Sequence, residues 1–140
     1  MQIYNPAMNC RLTVHLLVVF FVVVTAPLCR AQQMNLPDSP CANQVVTTDL
    51  VDCLAKARIS SDAKLNSLYQ TIRQHLSTGD LQRLTETQRL WVKYRDANCS
   101  AERKLYDGGT ASFPAYLGCI EAMTRERTAE LQVTYAITLK

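Results

Sequence analysis

A chain of 140 residues with 15 basic and 12 acidic side chains has room for one domain and carries only a weak positive charge. That excludes a large multi-domain enzyme and argues against a dedicated nucleic-acid binder, which needs a concentrated basic patch. Four glycines and 7% aromatics suit helices better than a sandwich or barrel.

Leu16 to Val24 are nine apolar residues without a break, with Arg11 before them and Cys29 and Ala31 at the −3 and −1 positions of a cleavage site. This order of charge, apolar run and small residues predicts a signal peptide over 1–31 and a periplasmic or secreted product. The apolar run falls short of the roughly 20 residues that span a membrane. A lipid anchor on Cys29 is not expected, because Pro27 and Leu28 stand where such processing needs a small residue. Beyond residue 31 there are thirteen basic and twelve acidic side chains, a charge of +1.

Residues 32–46 contain Pro37 and Pro40 and read as an extended N-terminal arm. Thr47-Thr48-Asp49 offers a helix cap. From there Leu50, Leu54, Ala57, Leu65, Leu68, Ile72 and Leu76 follow helical spacing, with Ser60-Ser61-Asp62 as a kink or a fresh cap. Ser77-Thr78-Gly79 ends this helix and Asp80 caps the next. A second helix over 81–106 carries Leu81, Leu84, Gln88, Trp91, Val92, Arg95, Cys99, Glu102 and Tyr106 on one stripe. Asp107-Gly108-Gly109 forms a turn, and a third helix begins near Pro114, with stripe residues Leu117, Ile120, Met123, Arg127, Leu131 and Tyr135. The expected architecture is all-α, a small antiparallel three-helix domain.

Four cysteines follow the signal: Cys41, Cys53, Cys99 and Cys119. An even number in a small exported chain reads as two disulfides. Cys99 stands ten residues before Gly109 and Cys119 ten after it, so a hairpin folded there places both about 15 Å from its tip. Cys99–Cys119 is the natural bridge, and Cys41–Cys53 follows by elimination. No Cys-x-x-Cys pair occurs, which argues against zinc.

Arg95 and Arg127 share faces with apolar residues, and an inward charge needs a partner. The sequence predicts a structural polar network of Asp62, Gln88, Arg95, Glu102 and Arg127 with Arg95 at its centre. His75, the lone histidine beyond the signal, reads as a solvated or capping side chain. No nucleophile elbow, zinc-protease motif, phosphate loop or calcium loop is present, so neither catalysis nor a cofactor or metal is expected. The small-residued loop after Asp107 is the candidate partner-binding element, with Tyr106, Thr110, Ser112, Phe113 and Tyr116 as its contacts.

Three segments carry a family resemblance: Ala63-Lys64-Leu65-Asn66-Ser67-Leu68-Tyr69; Gln88-Arg89-Leu90-Trp91-Val92-Lys93-Tyr94-Arg95-Asp96-Ala97-Asn98-Cys99; and Cys119 followed by Thr124 and Arg127-Thr128-Ala129-Glu130-Leu131. With them the chain resembles the LprI-like family of small exported bacterial proteins, over a domain from about 41 to 135. The resemblance implies a disulfide-bonded helical domain that inhibits lysozyme, for which steric occlusion of the substrate cleft is the expected mode; the alternative is a structural or stress-related periplasmic protein that binds another envelope partner without inhibiting lysozyme. An inhibitor of a basic enzyme would profit from an acidic face, for which Glu102, Asp107 and Glu121 are the candidates.

Overall fold

Among the described residues three helices, α1 (Thr47–His75), α2 (Thr78–Lys104) and α3 (Ser112–Thr134), make up most of the fold. The computed structural model describes residues 34 and 36–140, and the predicted signal peptide lies outside the described residues. The chain divides into two units, Met1–Arg30 and Ala31–Lys140, and everything described belongs to the second.

Side-chain clusters fix the helix directions. Leu54 of α1 packs with Ala115 and Leu117 at the start of α3. Leu65 and Ile72 of α1 pack with Leu84 of α2 and Leu131 near the end of α3. Cys99, Cys119 and Ile120 form a third cluster. So α1 and α3 run parallel, and α2 runs antiparallel to both. Helix α3 packs along α1 and α2, while the backbones of α1 and α2 stay apart. The space left between those two helices is where the polar side chains gather.

Both disulfides are present, Cys41–Cys53 and Cys99–Cys119. The second ties α2 to α3 near their connecting turn. There Gly108 takes φ of 81°, the left-handed geometry that lets the chain reverse after α2. The first disulfide ties the N-terminal segment to α1. That segment is not extended: Ser39 donates to the Leu36 carbonyl, Ala42 to Ser39 and Gln44 to Cys41, so it folds into successive turns. Two prolines exclude a helix here, but they are equally at home in turns.

The caps differ from the sequence reading in a consistent way. Helix α1 runs unbroken through Ser60-Ser61-Asp62, and its N-cap is Val46, with no side-chain cap bond. Ser77, not Asp80, caps α2. Its hydroxyl accepts from the Asp80 amide at 3.3 Å, which caps the helix, and donates to the Asp80 carboxylate at 2.6 Å. Gly79 therefore lies inside α2 rather than closing α1. The Ser77 hydroxyl, with Arg83 beside it, holds the Asp80 carboxyl below its ordinary pKa.

Helix α3 is the centre of the domain. Pro114, Ala115, Leu117, Gly118, Cys119, Ile120, Glu121, Ala122 and Thr124 are all buried, more than one stripe can account for. Besides α1 and α2, the N-terminal segment covers it. A Cβ on Gly118 would lie 2.8 Å from the Met34 Cα and 2.9 Å from the Met34 nitrogen, so the two backbones are in direct apposition. Met34 itself is buried in the cluster around Leu54.

Candidate functional site

The α2 stripe faces α3 and the open side of α1, which brings its polar members together. Arg95 Nη1 donates to Asp62 Oδ1 on α1 at 3.3 Å and to Thr124 Oγ1 on α3 at 3.1 Å. Its other nitrogens reach Asp96. Arg127 Nε donates to Gln88 Oε1 at 3.1 Å, and its Nη1 pairs with Glu130. Both guanidinium groups lie over the Trp91 ring, at 5.2 and 5.8 Å from its centroid. The two arginine side chains are only 14% and 11% exposed, so losing a partner would leave a largely desolvated charge uncompensated. Asp62 also accepts from Arg58 at 3.2 Å.

Asp62, Gln88, Arg95 and Arg127 thus converge, with the Trp91 ring in cation–π reach of both arginines. Glu102 does not join them. It stands seven residues beyond Arg95, about 10 Å further along α2. It makes no ion pair with a described residue, and burial raises its carboxyl pKa.

Between α1 and α2 this cluster opens on a cleft of about 520 Å³. Asp62, Asn66, Tyr69, Gln88, Trp91 and Arg95 line it. Tyr69 donates its hydroxyl to Thr85 across the cleft at 3.2 Å.

The candidate partner-binding residues sit at the opposite end of α2. Residues 105–111 form the connection; Ser112 and Phe113 belong to α3 rather than to the loop, and Tyr116 follows them on the helix. The helix begins early because Pro114 falls in its first turn, where no backbone donor is required. Leu105 is 80% exposed and Phe113 45% exposed. Tyr106 and Tyr116 are half-buried against the Leu54 cluster, and Thr110 is exposed. Arg103 braces this end: its guanidinium lies over Phe113 and Tyr116, and its Nε donates to Ser112 Oγ at 3.4 Å.

A further group was not anticipated from sequence. Glu121, with a side chain only 4% exposed, accepts at Oε1 from Ser61 Oγ at 3.0 Å and Arg125 Nε at 3.3 Å. Arg125 also pairs with Asp38 of the N-terminal segment. This removes Glu121 from any acidic surface face and leaves Asp107 as the exposed acid near the turn. Ser61 carries the only hint in the sequence, as a polar residue interrupting an apolar stripe. His75 is exposed and its Nδ1 lies 2.8 Å from the Thr71 carbonyl oxygen.

Among the described residues no group of histidine, cysteine and acidic side chains could hold a metal ion. No described helix is long and apolar enough to cross a membrane. A family model described as "Lysozyme inhibitor LprI" matches residues 39–131. A protein of Rhizobium meliloti (strain 1021), named only as an uncharacterized protein, is 31% identical over 121 residues, covering 77% of this chain and 84% of its own. No solved structure matches.

Proposed function

This chain belongs to the lysozyme inhibitor LprI family, and from that premise we propose that it is an exported, non-catalytic protein that binds a lysozyme and covers its substrate cleft. Export to the periplasm or beyond follows from the charged, apolar and small-residue order of residues 1–31. Two disulfides suit that oxidising destination.

The observation that carries the reading is the braced end of the α2–α3 hairpin. Leu105 and Phe113 stay in water there, with Tyr106 and Tyr116 beside them, on a backbone held by Cys99–Cys119. Rigid aromatic and apolar side chains at one end of a domain lose little entropy when they dock, which is how a few residues come to dominate an interface. Occlusion requires shape alone, so no member of the cluster around Arg95 is assigned a chemical step.

The test is a calorimetric titration of lysozyme with the wild type and with Leu105→Ser and Phe113→Ser variants. Each variant should weaken binding about tenfold or more while the helical circular dichroism is unchanged. Undiminished binding by both would exclude the hairpin end as the contact.

The burial of Glu121 favours a second reading. Without an acidic face there is little electrostatic steering toward a basic enzyme, and the same hairpin end would then serve a near-neutral envelope protein. Titration against a panel of lysozymes of differing charge separates the two. Binding to any of them supports the first, and absence of binding throughout supports the second.

A further inference from the structure

Arg58, Arg83, Arg89, Arg95, Arg125 and Arg127 each pair with a carboxylate. Arg103 forms no ion pair with a described residue, although Glu102 precedes it and Asp107 follows four residues on. Its guanidinium is laid instead over the rings of Phe113 and Tyr116, 5.8 and 5.9 Å from their centroids. Its Nε donates to Ser112 Oγ at 3.4 Å, and the Ser112 hydroxyl in turn donates to the Arg103 carbonyl at 3.5 Å. The residue is exposed, and the N–H groups of both Nη nitrogens have no partner among the described residues.

The helix dipole favours a cation in the last turn of α2, and Lys104 meets that preference as well. The dipole does not require the Arg103 side chain to reach across to α3. Contacts at Nε and over two rings hold the guanidinium in one place, so less rotamer entropy is left to lose when it docks. The apolar side chains beside it, Leu105 and Phe113, stay in water. A preorganised cation ringed by exposed apolar groups is complementary to a carboxylate at the bottom of a concave site, where the apolar groups exclude water from the pair.

The substrate cleft of a retaining lysozyme holds two catalytic carboxyl groups about 5–5.5 Å apart. On a basic enzyme, that pair is where an incoming cation meets acid rather than like charge. Resting on the reading that the hairpin end enters such a cleft, we propose that Arg103 pairs with the catalytic carboxyl groups of the bound lysozyme. Its free Nη nitrogens offer the bidentate geometry that carboxylates accept. The attraction of the partner then lies in one fixed cation and not in an acidic face, in keeping with the burial of Glu121. Lys104 has no such bracing and is not assigned this role.

A double-mutant cycle tests the pairing. The oxidised wild type and the Arg103→Ala and Lys104→Ala variants are titrated calorimetrically into native lysozyme and into a lysozyme whose two catalytic carboxyl residues are replaced by their amides. Arg103→Ala should weaken binding to the native enzyme about tenfold or more. On the amide enzyme its effect should shrink to about twofold or less, because the partner charge is gone. Lys104→Ala should cost about threefold or less on either enzyme, as a rim charge does. An equal Arg103→Ala loss on both enzymes would mean that the side chain only props Phe113 and Tyr116, and would overturn the proposal. So would a Lys104→Ala loss as large as that of Arg103→Ala. Undiminished binding of Arg103→Ala to the native enzyme would overturn it too, while leaving the hairpin end to stand on the Leu105→Ser and Phe113→Ser results. No binding of the wild type to native lysozyme would remove both.

Discussion

Replacing Gly118 by alanine sets two physical effects of opposite sign against each other. Glycine inside a helix costs about 1 kcal/mol relative to alanine, so propensity alone predicts a more stable protein. The structure predicts the reverse. The new Cβ would meet the Met34 backbone at 2.8 and 2.9 Å, closer than carbon atoms can approach. Neither partner is the free end of a flexible side chain: Gly118 is in the centre of α3, and the Cys41–Cys53 bridge anchors the segment carrying Met34. Either the core strains, at about 1–3 kcal/mol, or Met34 leaves its site and loses burial worth about 1.5–3 kcal/mol. After the propensity gain, the net loss is about 0–2 kcal/mol, and each kcal/mol lowers the melting temperature by about 4–8 °C in a domain of this size. Thermal unfolding followed by circular dichroism measures it. A Gly118→Ala protein that melts higher than wild type would refute the apposition of the N-terminal segment on α3.

Four further outcomes are expected. Arg95→Lys cannot reproduce the simultaneous contacts with Asp62, Asp96 and Thr124. It should destabilise the protein by about 1–3 kcal/mol and change Trp91 emission, both read in one fluorescence-monitored urea titration. Removing the Cys99–Cys119 bridge, which closes a separation of 20 residues, should cost about 3 kcal/mol in the chain-entropy model; the denaturation midpoint of a double alanine variant reports it. Ser77→Ala should cost about 1 kcal/mol as a lost cap and return the Asp80 carboxyl toward its ordinary pKa, because the Ser77 hydroxyl is the largest cause of its depression. A carboxyl NMR titration shows the shift. Glu102 has its folded-state pKa raised by burial. Its contribution is therefore present below the unfolded pKa and lost as pH rises through the folded value. Glu102→Gln should then melt higher than wild type at neutral pH, with the difference fading once pH falls below the carboxylate range.

The sequence exposed most clearly what is periodic. Every stripe residue from Leu81 to Tyr106 is buried or half-buried, Arg95 and Gln88 included, because helical spacing projects them all to one side. The Cys99–Cys119 bridge was legible because ten residues on either side of a glycine turn put both sulfurs at one height. The buried circumference of α3 was not legible. It depends on the N-terminal segment folding back onto Gly118, a long-range contact that periodicity within a helix cannot encode. The same contact geometry hid Glu121, whose burial rests on Ser61 arriving from α1 sixty residues away. A glycine in mid-helix was the one local sign that another backbone approaches there. Ser112 and Phe113 belong to α3 although the sequence places its start near Pro114, because the proline occupies the third position of the first turn and two residues precede it.

The proposed inhibition is tested most directly by a lysozyme clearing assay on bacterial cell walls, with the protein added in molar excess in oxidised and in reduced form. The account predicts dose-dependent protection by the oxidised protein and loss of protection on reduction, because the Cys99–Cys119 bridge holds the contact end in shape. Absence of protection against every lysozyme tried, or equal protection by the reduced chain, would contradict it.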